Sequence, residues 1–288
     1  MEVSIYLIQA IHGLVYGMLL FLVASGLTLV FGMMGVLNIA HGGFYMLGAY
    51  LGYSIVVWSG NFWFCLILAP IGVGIAGALV ERFLLRKVHI LGHAHELLLT
   101  FGIYFIIGEM VKWFWGNYPL PFSPPTLLSG SSNIMGATYP HYRLFILCFG
   151  FVVLFLMAAL LMKTRIGITV RAAVSDAEMV DILGIDVPKV FLGVFSIGSA
   201  LAGLAGVIAA PFLSPYPGMG LDIMVDTFAV IVIGGFGSLL GAFVASLMIG
   251  ELQSYGILFI PRLALVFEFL LMAIVLISRP TGLFGEKQ

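Results

Sequence analysis

Few side chains here could do chemistry, and their spacing narrows what that chemistry could be. Asn38 and His41 stand three apart in a glycine-studded apolar stretch, Gly32-Met-Met-Gly35-Val-Leu-Asn38-Ile-Ala-His41-Gly42-Gly43-Phe44. If helical, they share one face. Polar groups inside apolar sequence need partners or water, so two readings stand side by side. One is a stretch lining a translocation path. The other is an interhelical hydrogen-bonding pair that joins two spans. A second group is His89, His93, His95 and Glu96. His89 and His93 are four apart, which invites a metal reading. No cysteine is near and no catalytic signature is complete, so a solvated loop is preferred and no metal site is expected. Glu268 is an isolated acid in an apolar run, either an ion-coupling group or the partner of a neighbouring helix.

What is missing bounds the function further. No lysine follows a glycine, so no P-loop can cradle ATP phosphates. There is no dense intramembrane series of Asp, Glu and Lys, and no assembled Ser/His/Asp set or carboxylate pair for an enzyme. The reading is a transport protein and not an enzyme, with no cofactor of its own. If transport is active, the energy enters through another subunit.

The elements that must position these residues are membrane helices. The 288 residues are 62% hydrophobic and 9% charged, whereas a soluble domain carries about 25% charged residues. The apolar runs are continuous, unlike the short alternating segments of a barrel. The fold class is therefore an all-α polytopic membrane protein, a single transmembrane domain over 1–288 with about eight to ten transmembrane helices, some broken at glycines. A net charge of −1 argues against nucleic acid as a partner. Cys65 and Cys148 lie in apolar runs and read as small hydrophobes.

A span needs about 20 apolar residues. The first run, 5–31, is interrupted at Ser25-Gly26, and the N-terminus reads as a retained first span and not a signal peptide. The Gly32–His41 stretch follows as a break, with a second span to Trp58 and a third over 62–81. Residues 82–96 carry Arg82, Arg86 and Lys87 and form a cytoplasmic loop by the positive-inside rule. The fourth span, 97–114, has Glu109 and Lys112 placed to pair near its far end. Residues 116–142 hold Pro119, Pro121, Pro124 and Pro125, a Ser/Gly cluster and no charge, so they form an ordered, irregular external loop. The fifth span covers 144–162 and the sixth 190–210, rich in small residues that let helices approach closely. Pro211 and Ser214–Gly220 form an external turn. The run Asp222–Glu251 breaks at Gly234-Gly235-Phe236-Gly237-Ser238, and a last span covers 263–278. Arg279 and Lys287 favour a cytoplasmic end, which fits if the broken run is a hairpin of two shorter helices.

Gly42-Gly43-Phe44…Gly48-Ala49-Tyr50 also echoes Gly234-Gly235-Phe236…Gly241-Ala242-Phe243. Broken helices at matching places in two halves point to an internal repeat with a path between them.

One stretch is polar throughout. Residues 163–189 hold four of the twelve Lys+Arg and four of the thirteen Asp+Glu between two apolar runs, so they must sit outside the lipid. Ser175 and Glu178 read as N-cap and N3 of a capping box opening a helix, Asp176–Leu183, that Gly184 closes. Arg165 and Arg171 anchor the entry at the membrane surface. Ala172, Ala173, Met179, Ile182 and Leu183 give an apolar side. It suits the headgroup layer or the groove of a cytoplasmic partner equally.

Three stretches together resemble one family. They are Gly26-Leu-Thr-Leu-Val-Phe-Gly32 through Asn38-Ile-Ala-His41-Gly42; Thr164-Arg165-Ile-Gly167 through Arg171-Ala172 and Ile182-Leu183-Gly184-Ile185; and Gly234-Gly-Phe-Gly-Ser238 with Gly241 and the closing Arg279-Pro-Thr-Gly-Leu-Phe-Gly285. They occur in order over nearly the full length. The chain resembles a permease of the LivH-type, from the branched-chain amino acid family of ABC importers in the bacterial inner membrane. The resemblance implies a heterodimer with a LivM-like second permease, two cytoplasmic ABC ATPases that hold ATP and Mg, and a periplasmic substrate-binding protein. It places the substrate path at Asn38, His41, Gly42, Gly43, Gly234 and Gly235. It places ATPase coupling at Arg165, Gly167, Arg171, Asp176, Glu178, Met179, Leu183 and Gly184, with Asp176–Gly184 as the coupling helix. It implies import of branched-chain or related hydrophobic amino acids by alternating access. Another small carboxylate or amide (an aromatic acid, urea, a short amide) remains an alternative, as does an ion-coupled secondary transporter using Glu268.

Overall fold

The computed structural model describes residues 2–35, 37–134 and 137–285. Within them the chain is helical almost throughout. Eleven helices carry the fold: α1 Glu2–Met34, α2 Ala40–Ser59, α3 Phe62–Val80, α4 His93–Trp115, α5 His141–Lys163, α6 Arg165–Ser175, α7 Ala177–Ile182, α8 Val187–Leu213, α9 Met219–Gly234, α10 Leu239–Phe259 and α11 Ala264–Ser278. Six are long and apolar enough to cross a membrane: α1, α3 with its extension, α4, α5, α8 and α10. Three more have fifteen residues or more: α2 with 20, α9 with 16 and α11 with 15. At 1.5 Å per residue α9 and α11 fall short of the ~30 Å hydrocarbon core. Six candidate spans among the described residues make this an all-α multi-pass membrane protein, with α2, α9 and α11 packed beside them.

α1 is the most enclosed of the six. It runs antiparallel to α10, with Gly13 against Gly250, Gly17 against Ser246 and Gly32 against Gly237. On its other side Gly26 meets Gly198 of α8. Small residues at these contacts let backbones approach where lipid offers no hydrophobic drive to pack. α2 crosses α8 just as closely: a Cβ on Gly48 would overlap Gly203, and one on Gly206 would overlap the Tyr45 carbonyl. The expected interruption at Ser25-Gly26 does not occur. α1 is unbroken there, Ser25 donates to the Leu22 carbonyl (2.8 Å), and Gly26 serves close packing. α1 ends instead at Gly35, in the left-handed region at φ +65°.

The expected loop 82–96 is mostly helix. α3 continues through a π-helical turn, Glu81–Leu85, and on to Leu91, leaving Gly92 (φ +96°) as the break before α4. Buried Glu81 pairs with Arg86 at 3.3 Å, and its charges mark the helix end and not a loop. Glu109 and Lys112 pair at 2.7 Å as their spacing predicts. The segment between α4 and α5 carries an antiparallel hairpin, β1 Ser131–Ile134 with β2 Ala137–Pro140, and α5 begins at His141. Pro211 lies inside the last turn of α8, not in the following turn.

The run from Asp222 to Glu251 divides as expected. α9 stops at Gly234, Gly235 and Gly237 take positive φ, and the Ser238 hydroxyl accepts from the Gly241 N–H to open α10. The tail returns to this turn, with the Leu283 and Phe284 N–H groups donating to the Ile233 and Gly234 carbonyls at 2.9 and 3.0 Å. Counted as successive passes from residues 163–186, α8 to α11 bring Arg279 back to the side of that polar segment. Lys287 lies outside the described residues. Gly42-Gly43 sits inside α2 while Gly234-Gly235 ends α9, so the two echoes occupy unlike conformations.

Candidate functional site

The break between α1 and α2 gathers the polar side chains singled out in the first half of the sequence. Asn38 is in the turn and not on a helix, and His41 is in the first turn of α2. Both are fully buried. His41 Nε2 lies 3.0 Å from the Val23 carbonyl, so that nitrogen carries the proton and donates. Among the described residues, His41 Nδ1 and both amide atoms of Asn38 have no hydrogen-bond partner. An unsatisfied buried polar group costs about 1–3 kcal/mol. Gly42 faces Gly220 and Met224 of α9, and Gly43 faces Tyr104 and Ile107 of α4, so four helix segments converge on this turn.

Gly234 and Gly235 stand apart from Asn38 and His41. Gly234 packs on Gly241, and Gly235 on Gly285 of the tail. Their turn does touch the end of α1, where Gly237 abuts Gly32 and the rings of Phe31 and Phe236 stack at 4.4 Å. Sequence reasoning missed Thr28 on α1 and Ser199 on α8, two more buried hydroxyls without partners among the described residues. It also missed Asp226 on α9, which accepts a hydrogen bond from the Tyr16 phenol. An acid within an apolar helix was the available signal for Asp226. Glu268 is buried on α11, and its Oε1 has no partner among the described residues.

The histidine group forms a local tie. His89 and His93 Nδ1 both bond buried Glu96, the second at 3.3 Å, while His95 is exposed. Glu96 thereby fastens the α3 extension to the start of α4.

The polar segment is two helices, not one. Thr164 caps α6 by accepting from the Gly167 N–H (3.1 Å), and Gly167 itself fits against the Leu160 and Leu161 carbonyls of α5, where a side chain would overlap. Arg171 donates to the Leu161 carbonyl and so ties α6 back to α5, while Arg165 is exposed. The capping box assigned to Ser175 and Glu178 is displaced by one residue. Asp176 is the N-cap of α7 and accepts from the Met179 N–H at 2.9 Å, while the Ser175 hydroxyl donates to Arg171 O and finishes α6. Asp176 is extended at φ −158°, ψ 91°, which breaks the two helices apart at that position. Gly184 closes α7 at φ +85° as expected. α7 turns Val180 inward (4% exposed) and leaves Met179, Ile182 and Leu183 outward at 52, 73 and 72%. Asp176, Glu178 and Asp181 surround them, all exposed. This is a short, doubly capped helix that offers an apolar ridge rimmed by acids.

Residues 9–276 match the family model described as the permease component of the branched-chain amino acid transport system. The chain belongs to that family. It is 28% identical to the high-affinity branched-chain amino acid transport permease BraD of Pseudomonas aeruginosa, over all of this chain and 98% of that protein. It is 27% identical to the permease LivH of Salmonella typhimurium, covering 98% of this chain and 96% of that one. The high-affinity branched-chain amino acid transport permease LivM of the same organism is 26% identical over 92% of this chain and 68% of its own length. No solved structure matches. The chain is thus a permease component, and the helices above are its transport machinery.

Proposed function

We propose that this permease forms one half of the translocation path of an ATP-driven importer for branched-chain or related hydrophobic amino acids in the bacterial inner membrane. A LivM-like permease supplies the other half, a binding protein delivers substrate from outside, and two ATPases holding ATP and Mg drive the cycle. The observation that carries this reading is α7. Its exposed Met179, Ile182 and Leu183 suit the groove of a cytoplasmic partner. α6, packed on the last turn of α5 through Gly167 and Arg171, gives that partner a lever on the spans.

Alternating access is a two-state equilibrium biased by ATP and by loaded binding protein. The buried amide of Asn38 and Nδ1 of His41, without partners among the described residues, support a turn that changes its partners as the spans rock. Gly42 and Gly43 would let α2 slide against α9 and α4, and Gly234 and Gly235 would let the α9–α10 turn follow. No covalent chemistry on the substrate is involved.

Reconstitution in vesicles with the second permease, the ATPases and a binding protein tests the reading. Leucine uptake should require ATP and stop when the ATPases are omitted. Uptake by this chain alone, driven by an ion gradient, would instead support a secondary transporter.

A further inference from the structure

At the end of the molecule remote from α7, the first turns of α1 and α5 and the last turns of α8 and α10 line an open cavity of about 320 Å³. That is the lower end of the ~300–1,000 Å³ found for small-ligand clefts. Arg143 of α5 stands on its wall. Among the described residues no carboxylate pairs with it. Its Nη1 donates to His12 Nδ1 at 2.6 Å, and its guanidinium lies 5.1 Å over the Phe212 ring and 6.0 Å from that of Tyr139. Two rings and an imidazole fix the orientation of the cation but bring it no negative charge. The remaining wall is apolar at Val15, Phe212 and Ile257. At the rim Gln9 and Ser254 satisfy each other through side-chain bonds to backbone carbonyls, which locks α1 to α10. Behind Tyr16, also on the wall, lies Asp226.

We propose that this cavity is an external receiving site for a small aliphatic amino acid, whose carboxylate pairs with Arg143. A guanidinium presents planar paired donors that fit a carboxylate. The cavity joins that donor to an apolar wall at Val15, Phe212 and Ile257 against which an aliphatic side chain can pack. The proposal rests on the importer reading and names the place where substrate first meets the permease. A phospholipid phosphate offers the same anionic oxygens, so the test separates the two sources.

The full chain, in nanodiscs of phosphatidylcholine and without ATPases, is titrated with L-leucine. Saturable binding is expected in wild type, weakened by at least about tenfold in Arg143→Gln and less in Arg143→Lys. L-Leucinamide, which lacks the carboxylate, should bind wild type at least about tenfold more weakly than leucine does, a comparison that needs no variant to fold. Leucine binding should persist in discs containing phosphatidylglycerol. Three results would overturn the proposal: no leucine binding by wild type, equal binding of leucine and leucinamide, or phosphatidylglycerol displacing leucine from wild type. Because no ATPase is present, a chain that fails here yet supports ATP-driven uptake would sink this site and leave the importer reading standing.

Discussion

The α1–α2 turn and helix α7 are opposites in how they depart from ordinary packing. At the turn, polar side chains are buried: Asn38 and His41 are fully enclosed, with three of their four side-chain polar atoms unpaired among the described residues. At α7, apolar side chains are exposed: Ile182 and Leu183 stand more than two-thirds in the open on a helix whose caps are complete. Each arrangement lowers the stability of the chain by itself. A buried amide without a partner costs about 1–3 kcal/mol, and exposed apolar surface forgoes roughly 25 cal/mol per Å². The contrast separates two jobs. On the proposed reading, polar demand inside belongs to groups that exchange partners during transport, and apolar demand outside belongs to a surface that another protein covers. Between them lie glycine contacts with no room for a side chain, such as Gly48 on Gly203 and Gly206 on the Tyr45 carbonyl.

The largest effect is expected at those contacts. A side chain at Gly206 would overlap the Tyr45 carbonyl. Gly206→Leu should therefore cost more than ~3 kcal/mol, the upper range for overpacking. The variant should elute as aggregate on size-exclusion chromatography, while a change on the exposed face of α7 should not. A monodisperse Gly206→Leu protein with wild-type melting would break the claim that α2 and α8 are locked.

A middle-sized effect sharpens the comparison directly. Asn38→Leu removes a buried amide that has no partner among the described residues, and should raise thermal stability by about 1–3 kcal/mol while lowering leucine uptake. If melting and uptake fall together, Asn38 is interhelical glue and not part of the path.

The smallest effect is at the far end of the polar segment. Asp186 caps α8 and pairs with Lys189 at 2.8 Å. The side-chain and backbone hydrogen bonds from Lys189 hold its carboxyl below the ordinary aspartate value. The folded value lies below the unfolded one, so its contribution is full above the unfolded value near ~3.9 and is lost as pH falls through the folded value. Melting of wild type and Asp186→Asn should differ at pH 7, begin to draw together below pH ~3.9 and converge only once the pH is below the folded value.

Much of the frame was legible in the sequence because composition and glycine punctuation report it locally. Gly184 after an apolar-periodic run is a helix stop, and Gly234-Gly235 in a long apolar run is a break. Both are found. Where one signal has two causes, reading failed. Gly26 marks a close contact with Gly198 and not a break, because glycine serves both. Arg82, Arg86 and Lys87 resembled a loop because charges at the solvent end of a long helix carry the same composition. The cap of α7 moved from Ser175 to Asp176 because both residues can cap and only the backbone break between α6 and α7 decides. The cavity beside Arg143 was invisible because Gln9, His12, Arg143, Phe212 and Ser254 are scattered along the chain and meet only through packing.

The measurement that bears most directly on the central claim is capture of the ATPases. Tagged wild-type permease and a Met179→Asp, Leu183→Asp variant are purified in mild detergent from cells that also make the second permease and the ATPases. The account predicts that wild type retains both ATPases and the second permease. It predicts that the variant keeps the second permease and its melting temperature but loses the ATPases. A variant that still holds the ATPases as wild type does would contradict it, and α7 would then be a helix lying on the lipid headgroups.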